Sequence, residues 1–222
     1  SIISNFYARA GMVVLNNGKT GAVTFIGTVS PAGGNLKEPV TESTKKAARC
    51  FYALEQNRAD QKRYPAVNPI DSYSKYLEYP EIQEFLDEKI EKGWTERVNR
   101  AKNIVRQGRD AAEQINILGD DGVPMNYHET FWKSELLDFV FLQQDAFDAV
   151  DSLCPLERQK FMLNLILDIC DREFSFEDFE QCRNFFKELI NDLRQMNYSQ
   201  FHSEAFEKYN SELSKLLEEN GK

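Results

Sequence analysis

Everything after Pro80 carries helical periodicity and no strand signal. Apolar residues recur there at spacings of three and four, the pattern of a helix with one buried face. The spacing predicts helices over residues 81–118, 128–152, 155–172, 176–196 and 199–219. Ser175 with Asp178 reads as a capping box opening the fourth of these. Between the first two, Gly119-Asp120-Asp121-Gly122-Val123-Pro124 cannot continue a helix and predicts a turn between neighbouring helices. Such a chain must fold, for most of its length, as a helical bundle.

The part before Pro80 is different in kind. Residues 1–10 read as the end of a helix with Gly11 as its C-cap. Residues 12–15 and 22–29 are rich in strand formers. Asn16-Asn17-Gly18-Lys19-Thr20-Gly21 between them is a hairpin signal. A Gly/Pro-rich loop follows over 31–39. Thr41 can cap a helix over 42–57. Residues 65–70 hold two prolines among apolar residues, which predicts an ordered extended link. Two or three strands cannot easily stand alone, because isolated hairpins are marginal and leave unpaired edges. The small β piece therefore packs on the helices or lacks its sheet partners. The fold class expected is mainly α: a C-terminal helical bundle over 77–222, preceded by a small β-containing piece over 1–76.

Composition narrows the function. A length of 222 residues with 41% hydrophobic side chains supports one sizeable core. The formal charge of -9 argues against nucleic-acid partners, whose phosphates call for Lys and Arg. Cys50, Cys154, Cys170 and Cys182 form no CxxC pair, and His128 and His202 lie far apart. Zinc spacing is thus missing, and no metal site is expected. The thiols read as reduced and buried, as in a cytosolic protein. No apolar run approaches the roughly 20 residues that span a bilayer, so direct membrane insertion is not expected.

Gly18-Lys19-Thr20 imitates the end of a phosphate-binding loop. That loop needs a glycine five residues earlier, where Val13 stands, and a helix afterwards, where a strand is predicted. A hairpin turn accounts for it. Two other segments carry more information. One runs GAVTFIGTVSPAGGNLKEPVT from Gly21 to Thr41. The second runs RYPAVNPIDSYSKY from Arg63 to Tyr76. Their order resembles the late part of the catalytic alpha chain of V-type and archaeal-type rotary ATPases. That family usually has SPPGGD before SEPVTQ; here Ala32 replaces a proline and Asn35 an aspartate. The Arg63–Ser74 stretch is also similar to the YPAVDPLDSTSR segment of F-type β subunits. Further on, Phe141-Leu142-Gln143-Gln144-Asp145-Ala146-Phe147 resembles the FLQQNAY element of the same families, and Gln114 to Asp121 resembles the end of the DIIAILG helix of F-type β subunits.

The resemblance implies a set of roles. Residues 1–76 would be the last pieces of an α/β nucleotide-binding domain. Tyr64 and Phe147 would face the adenine of ATP or ADP from two sides, with Phe141 as a further lining residue. A core tyrosine and a core phenylalanine stripe are the plain structural alternatives. The turn Gly119 to Pro124 would press on the central rotor stalk, and Gly33-Gly34-Asn35-Leu36-Lys37-Glu38 would touch it. The other partners would be the non-catalytic B-type subunit, in an alternating A/B hexamer, and a peripheral stalk, on the cytoplasmic face of the membrane. The phosphate-binding loop, the catalytic glutamate and the Mg ligands of that family lie upstream of the matched region. No catalytic residue is therefore expected in this chain, which alone should not hydrolyse ATP. A free-standing helical interaction protein and a non-catalytic paralogue are the alternatives.

Overall fold

The computed structural model describes residues 2–220, and the side chains of residues 2–218. It is 63% helical, with two small antiparallel sheets. The N-terminal part opens with helix α1 (Ile2–Tyr7) and the hairpin β1 (Gly11–Val14) and β2 (Thr20–Val23), paired Gly11 to Val23 and Val14 to Thr20. Helix α1 ends at Tyr7 and Gly11 starts the strand, so Gly11 is no C-cap. Gly18 holds φ 77 in the turn, with its N–H donated to the Leu15 carbonyl, and Lys19 donates to the Asn17 side chain. The strand ends at Val23, short of the predicted Val29. Met12, Val13, Val14 and Val23 are all exposed. Phe25 stacks on Phe6 at 5.1 Å, which joins the segment after the hairpin to α1.

Helix α2 (Pro39–Ala47) is capped by Glu38, ahead of the cap predicted at Thr41. The Thr41 N–H and hydroxyl both donate to the Glu38 carboxylate, at 2.9 and 2.7 Å. The helix stops at Ala48 and does not reach 57. Strand β3 (Cys50–Phe51) leaves it to pair with β4 (Tyr73–Ser74), and a short helix α3 (Gln56–Asp60) follows. Long-range strand pairing here overrides the local helix preference. The link over 65–70 is ordered but not extended throughout: it bends at 64–65 and turns at 69–71, where the Ser72 N–H donates to the Asn68 carbonyl. Tyr64–Pro65 is a cis peptide bond, Leu54 bridges to Val67, and Asn68 donates its N–H to the Ala53 carbonyl.

The helical part begins with α4 (Pro80–Lys89) and α5 (Trp94–Leu118). The sequence pattern predicts one helix here, but Gly93 takes a left-handed φ of 80 and divides it. Helix α6 (Met125–Leu137) folds back along α5 and passes into one π-helical turn over Asp138–Leu142. It ends there, ten residues before the predicted 152. Beyond Gln143, side-chain oxygens of Asp145, Asp148 and Asp151 take the backbone N–H groups a helix would use. Helices α7 (Leu156–Asp171), α8 (Phe179–Tyr198) and α9 (Glu204–Asn220) complete the bundle. The cap of α8 is Asp178, which accepts from the Gln181 N–H; Ser175 plays no part in it. The core gathers Leu136 and Val140, Leu163 and Ile166, Phe186, Leu189 and Leu193, and Phe206, all 2% exposed or less. The expectation of a mainly helical fold holds.

Helices α5 and α6 pack tightly at Gly108. A Cβ placed there would lie 2.0 Å from the Ser134 Cβ. Alanine is the better helix former by about 1 kcal/mol. Sterics reverse the sign: Gly108→Ala should destabilise the chain by about 1–3 kcal/mol through overpacking. Urea unfolding measures it, and a variant more stable than the parent would refute the close packing.

Candidate nucleotide-base site

A cavity of about 280 Å³ lies where the N-terminal part meets the helical part. Tyr64 and Lys62 enter it from the link after α3. Lys62 holds a left-handed φ of 58, rare for a side chain of its size. Phe139, from the π-helical turn, and Phe147, from the loop beyond, form further walls, and Arg194 and Tyr198 reach it from α8. Tyr64 is half exposed and Phe147 fully so. The Tyr64 hydroxyl donates to the Ala59 carbonyl at 3.3 Å, and the Gln144 N–H donates to the Tyr64 carbonyl at 3.0 Å. That last bond ties the two walls together directly.

Tyr64 and Phe147 thus line one cavity, although 83 positions separate them. Phe141 packs against the helical core and is not among the lining residues; Phe139, two positions earlier, takes the inward place. The five-residue π turn shifts which side of this segment faces the cavity. Sequence reasoning missed Phe139, Lys62 and the α8 residues. Phe139 sits in the same motif-bearing segment, whereas nothing in the sequence marks Arg194 or Tyr198.

Beside Phe139 a largely buried ionic network lines a second cavity of about 490 Å³. Arg58 donates both terminal nitrogens to Asp138, at 2.8 and 2.7 Å. Arg63 forks onto Glu135 at 2.9 and 2.8 Å and also reaches Asp138 at 2.8 Å. Its guanidinium lies 4.6 Å from the centre of the Phe139 ring. Burial opposes the Arg63 charge, but the hydrogen bonds and charges of Glu135 and Asp138 outweigh it and raise its pKa. These four residues clamp the segment carrying Tyr64 to the helix carrying Phe139. At the other wall, burial raises the pKa of Asp151, against the Asp145 N–H bond and the Arg158 charge that lower it.

The cavity suits a flat, largely apolar group edged by polar contacts. Tyr64, Phe139, Phe147 and Tyr198, with Ala146, supply the apolar surface, while Lys62, Gln143, Asp145 and Arg194 supply charge and hydrogen bonds. Among the described residues, no group of three or more His, Cys, Asp or Glu side chains could hold a metal ion. All four thiols are free. Burial pushes Cys170 and Cys182 up to about 12, which leaves them almost wholly protonated near neutral pH.

Two family models match the chain in succession. Residues 1–74 match the nucleotide-binding domain of the ATP synthase alpha/beta family. Residues 83–201 match the C-terminal domain of V and A type ATP synthase. The chain belongs to the V- and A-type ATP synthase family. The V-type ATP synthase alpha chain of Protochlamydia amoebophila is 39% identical over 219 residues, which is 99% of this chain and 36% of the relative. Those of Chlamydia caviae and Borrelia duttonii are 40% and 39% identical over 98% of this chain. The chain thus spans about a third of the length of these V/A-type relatives. Among solved structures, an ATP synthase subunit, NeqB of Nanoarcheaum equitans, aligns with a TM-score of 0.57 at 17% identity. The match covers 77% of this chain and 39% of that one, and it bears on the fold alone.

The turn between α5 and α6 in this V/A-type helical domain projects into solvent. Asp120 and Asp121 are exposed, as are Ile117 and Leu118 just before them. Gly119 takes φ 80 as α5 ends, and the Asp120 carbonyl is fixed by His128 Nε2 at 2.9 Å. Among the described residues no helix is long and apolar enough to cross a membrane.

Proposed function

We propose that this chain is the carboxy-terminal portion of the catalytic subunit of a rotary ion-translocating ATPase or ATP synthase, and that its cavity holds the adenine of ATP or ADP. The observation that carries the reading is the meeting of Tyr64, Phe139 and Phe147 in one cavity between the two family-matched segments. Adenine offers two π faces, and stacking on aromatic side chains contributes roughly 1–3 kcal/mol per base. Residues 1–76 form the end of the nucleotide-binding domain, and 77–222 the helical domain. Tyr64 and Phe147 are the stacking walls, and Phe141 supports them from the core side. No phosphate-binding loop occurs in this sequence, so the chain supplies the base end of the site only; the phosphates, Mg and chemistry belong to residues upstream of it.

The exposed tip from Gly119 to Pro124 fits the rotor-contacting lever, since a lever must project. The loop from Gly33 to Glu38 is a second rotor contact. The exposed apolar faces of β1 and β2 suit continuation of a sheet by the rest of the nucleotide domain. The non-catalytic B-type subunit and a peripheral stalk complete the assembly on the cytoplasmic face of the membrane, where ATP turnover is coupled to proton or sodium transport.

Titration of the chain with ADP, followed by amide NMR, tests the base site. Without its phosphate cradle, binding should be near millimolar, about -4 kcal/mol. Shifts should centre on Tyr64, Gln144 and Ala146. Tyr64→Ala should weaken binding by roughly 5- to 150-fold, the equivalent of about 1–3 kcal/mol, while the amides of α7 and α8 stay in place. Shifts clustered elsewhere, or unchanged affinity in the variant, would refute the assignment.

A further inference from the structure

Phe147 is fully exposed, so no packing of its own ring holds it at the cavity rim. Its place depends on the backbone between Gln143 and Leu153. That backbone is tied down by polar groups. The Phe147 N–H donates to the Asp145 carboxylate at 2.9 Å, and the Asp145 N–H donates to Asp151 Oδ2 at 2.6 Å. The Val150 and Asp151 N–H groups both donate to Asp148 Oδ1 at 2.8 Å. Gln144 Nε2 donates to the Asp151 carbonyl at 2.7 Å. Asp151 is the residue on which this network converges.

Behind Asp151 stands Arg158, in the first turn of α7 and 1% exposed. Its Nη2 lies 3.5 Å from Asp151 Oδ1. The same nitrogen donates to the Asn197 carbonyl and, at 3.2 Å, to Asn197 Oδ1, and Nη1 donates to the Val150 carbonyl at 3.4 Å. Asn197 in turn donates to the Val140 carbonyl at 2.7 Å, inside the π-helical turn. One buried cation therefore joins α7, the end of α8 and the loop bearing Phe147, with the π-helical turn held through Asn197.

This arrangement is costly as pure structure. A cation in the first turn of a helix faces the positive end of its dipole. Burying it demands desolvation that a well-packed apolar side chain would avoid. The Nε of Arg158 is buried and has no partner. What the cation supplies, and a leucine or methionine could not, is a fixed direction for the Asp151 carboxylate and the Val150 carbonyl.

We infer that Arg158 is the positioning residue for the wall that carries Phe147, and that it sets base affinity without touching the base. The inference rests on the adenine reading of the cavity. Arg158 does not line the cavity, so any effect on a ligand must pass through Asp151 and Asn197, which do.

The test compares the chain with Arg158→Met and Arg158→Lys by amide NMR and ADP titration. The Asp145 amide is the reporter, since its short bond to Asp151 sets its chemical shift; Ile166 and Leu189 report the core. The Met variant should shift the Asp145 and Phe147 amides, leave the core amides in place and weaken ADP binding at least five-fold. The Lys variant keeps a cation opposite Asp151 and should recover part of both; it also decides the matter if the Met variant fails to fold. A folded Arg158→Met chain that binds ADP within two-fold of the parent overturns the inference. If the parent binds no ADP, the adenine reading has failed and the inference falls with it. The Asp145 amide then still tells whether Arg158 orders the loop. That separates the two failures.

Discussion

Asp138→Asn should be the most damaging single-atom exchange among the polar residues, at about 3–5 kcal/mol. Arg58 is buried and spends both terminal nitrogens on Asp138. An asparagine there can accept only one of those bonds and brings no charge. Arginine cannot shed its proton to relieve the mismatch. The buried guanidinium is then uncompensated, which is where removal of one partner costs most. Glu135→Gln should cost less, because Arg63 keeps its bond to Asp138 at 2.8 Å. Replacing both members, as Arg58→Met with Asp138→Leu, should recover most of the loss by removing the unpaired charge. Chemical unfolding of these variants beside the parent gives the ranking. An Asp138→Asn chain within 1 kcal/mol of the parent would mean that the network is relaxed or hydrated in solution.

That network also marks where sequence reading stopped. Arg58 and Asp138 are 80 positions apart, and nothing in either local pattern announces a partner. The bundle was legible because burial repeats at helical spacing within each segment, as with Phe186, Leu189 and Leu193 on α8. Boundaries failed wherever a distant group intervened. Helix α2 stops early because Cys50 and Phe51 pair with Tyr73 and Ser74, a two-residue ladder too short to leave a strand signal. Helix α6 stops early because the Tyr64 carbonyl and the aspartates of the next loop claim the backbone. The α4–α5 break had a local cause, Gly93, but an isolated glycine is weak evidence against a long periodic run. Tyr64 and Phe147 were legible as a pair only through family resemblance; their spacing alone would have left them as two unrelated core aromatics. Phe139 was missed because a π turn changes the facing of the segment, and that turn has no sequence mark of its own.

Phe186→Ala and Phe147→Ala should separate stability from binding using one residue type. Phe186 is 0% exposed, in the middle of α8. Phe185 crosses it edge-on at 5.3 Å, Phe174 edge-on at 5.7 Å, and Phe176 is tilted at 6.2 Å. Truncation removes the transfer free energy of a whole ring, leaves a cavity the rigid neighbours cannot close, and deletes aromatic pairs worth about 0.5–1.5 kcal/mol each. The expected cost is about 3–5 kcal/mol. A chain of this size has only about 5–15 kcal/mol to lose, so the midpoint of unfolding should fall steeply. Phe147, fully exposed, contributes no buried area, and Phe147→Ala should leave stability within about 0.5 kcal/mol. If the cavity takes a base, the same change weakens ADP binding, while Phe186→Ala leaves the walls at Tyr64 and Phe139 where they are in the chains that remain folded. Unfolding curves and ADP titrations on both variants decide it. A large stability loss in Phe147→Ala would place that ring inside the core, and a cost under 1 kcal/mol in Phe186→Ala would mean that the aromatic cluster is loosely packed.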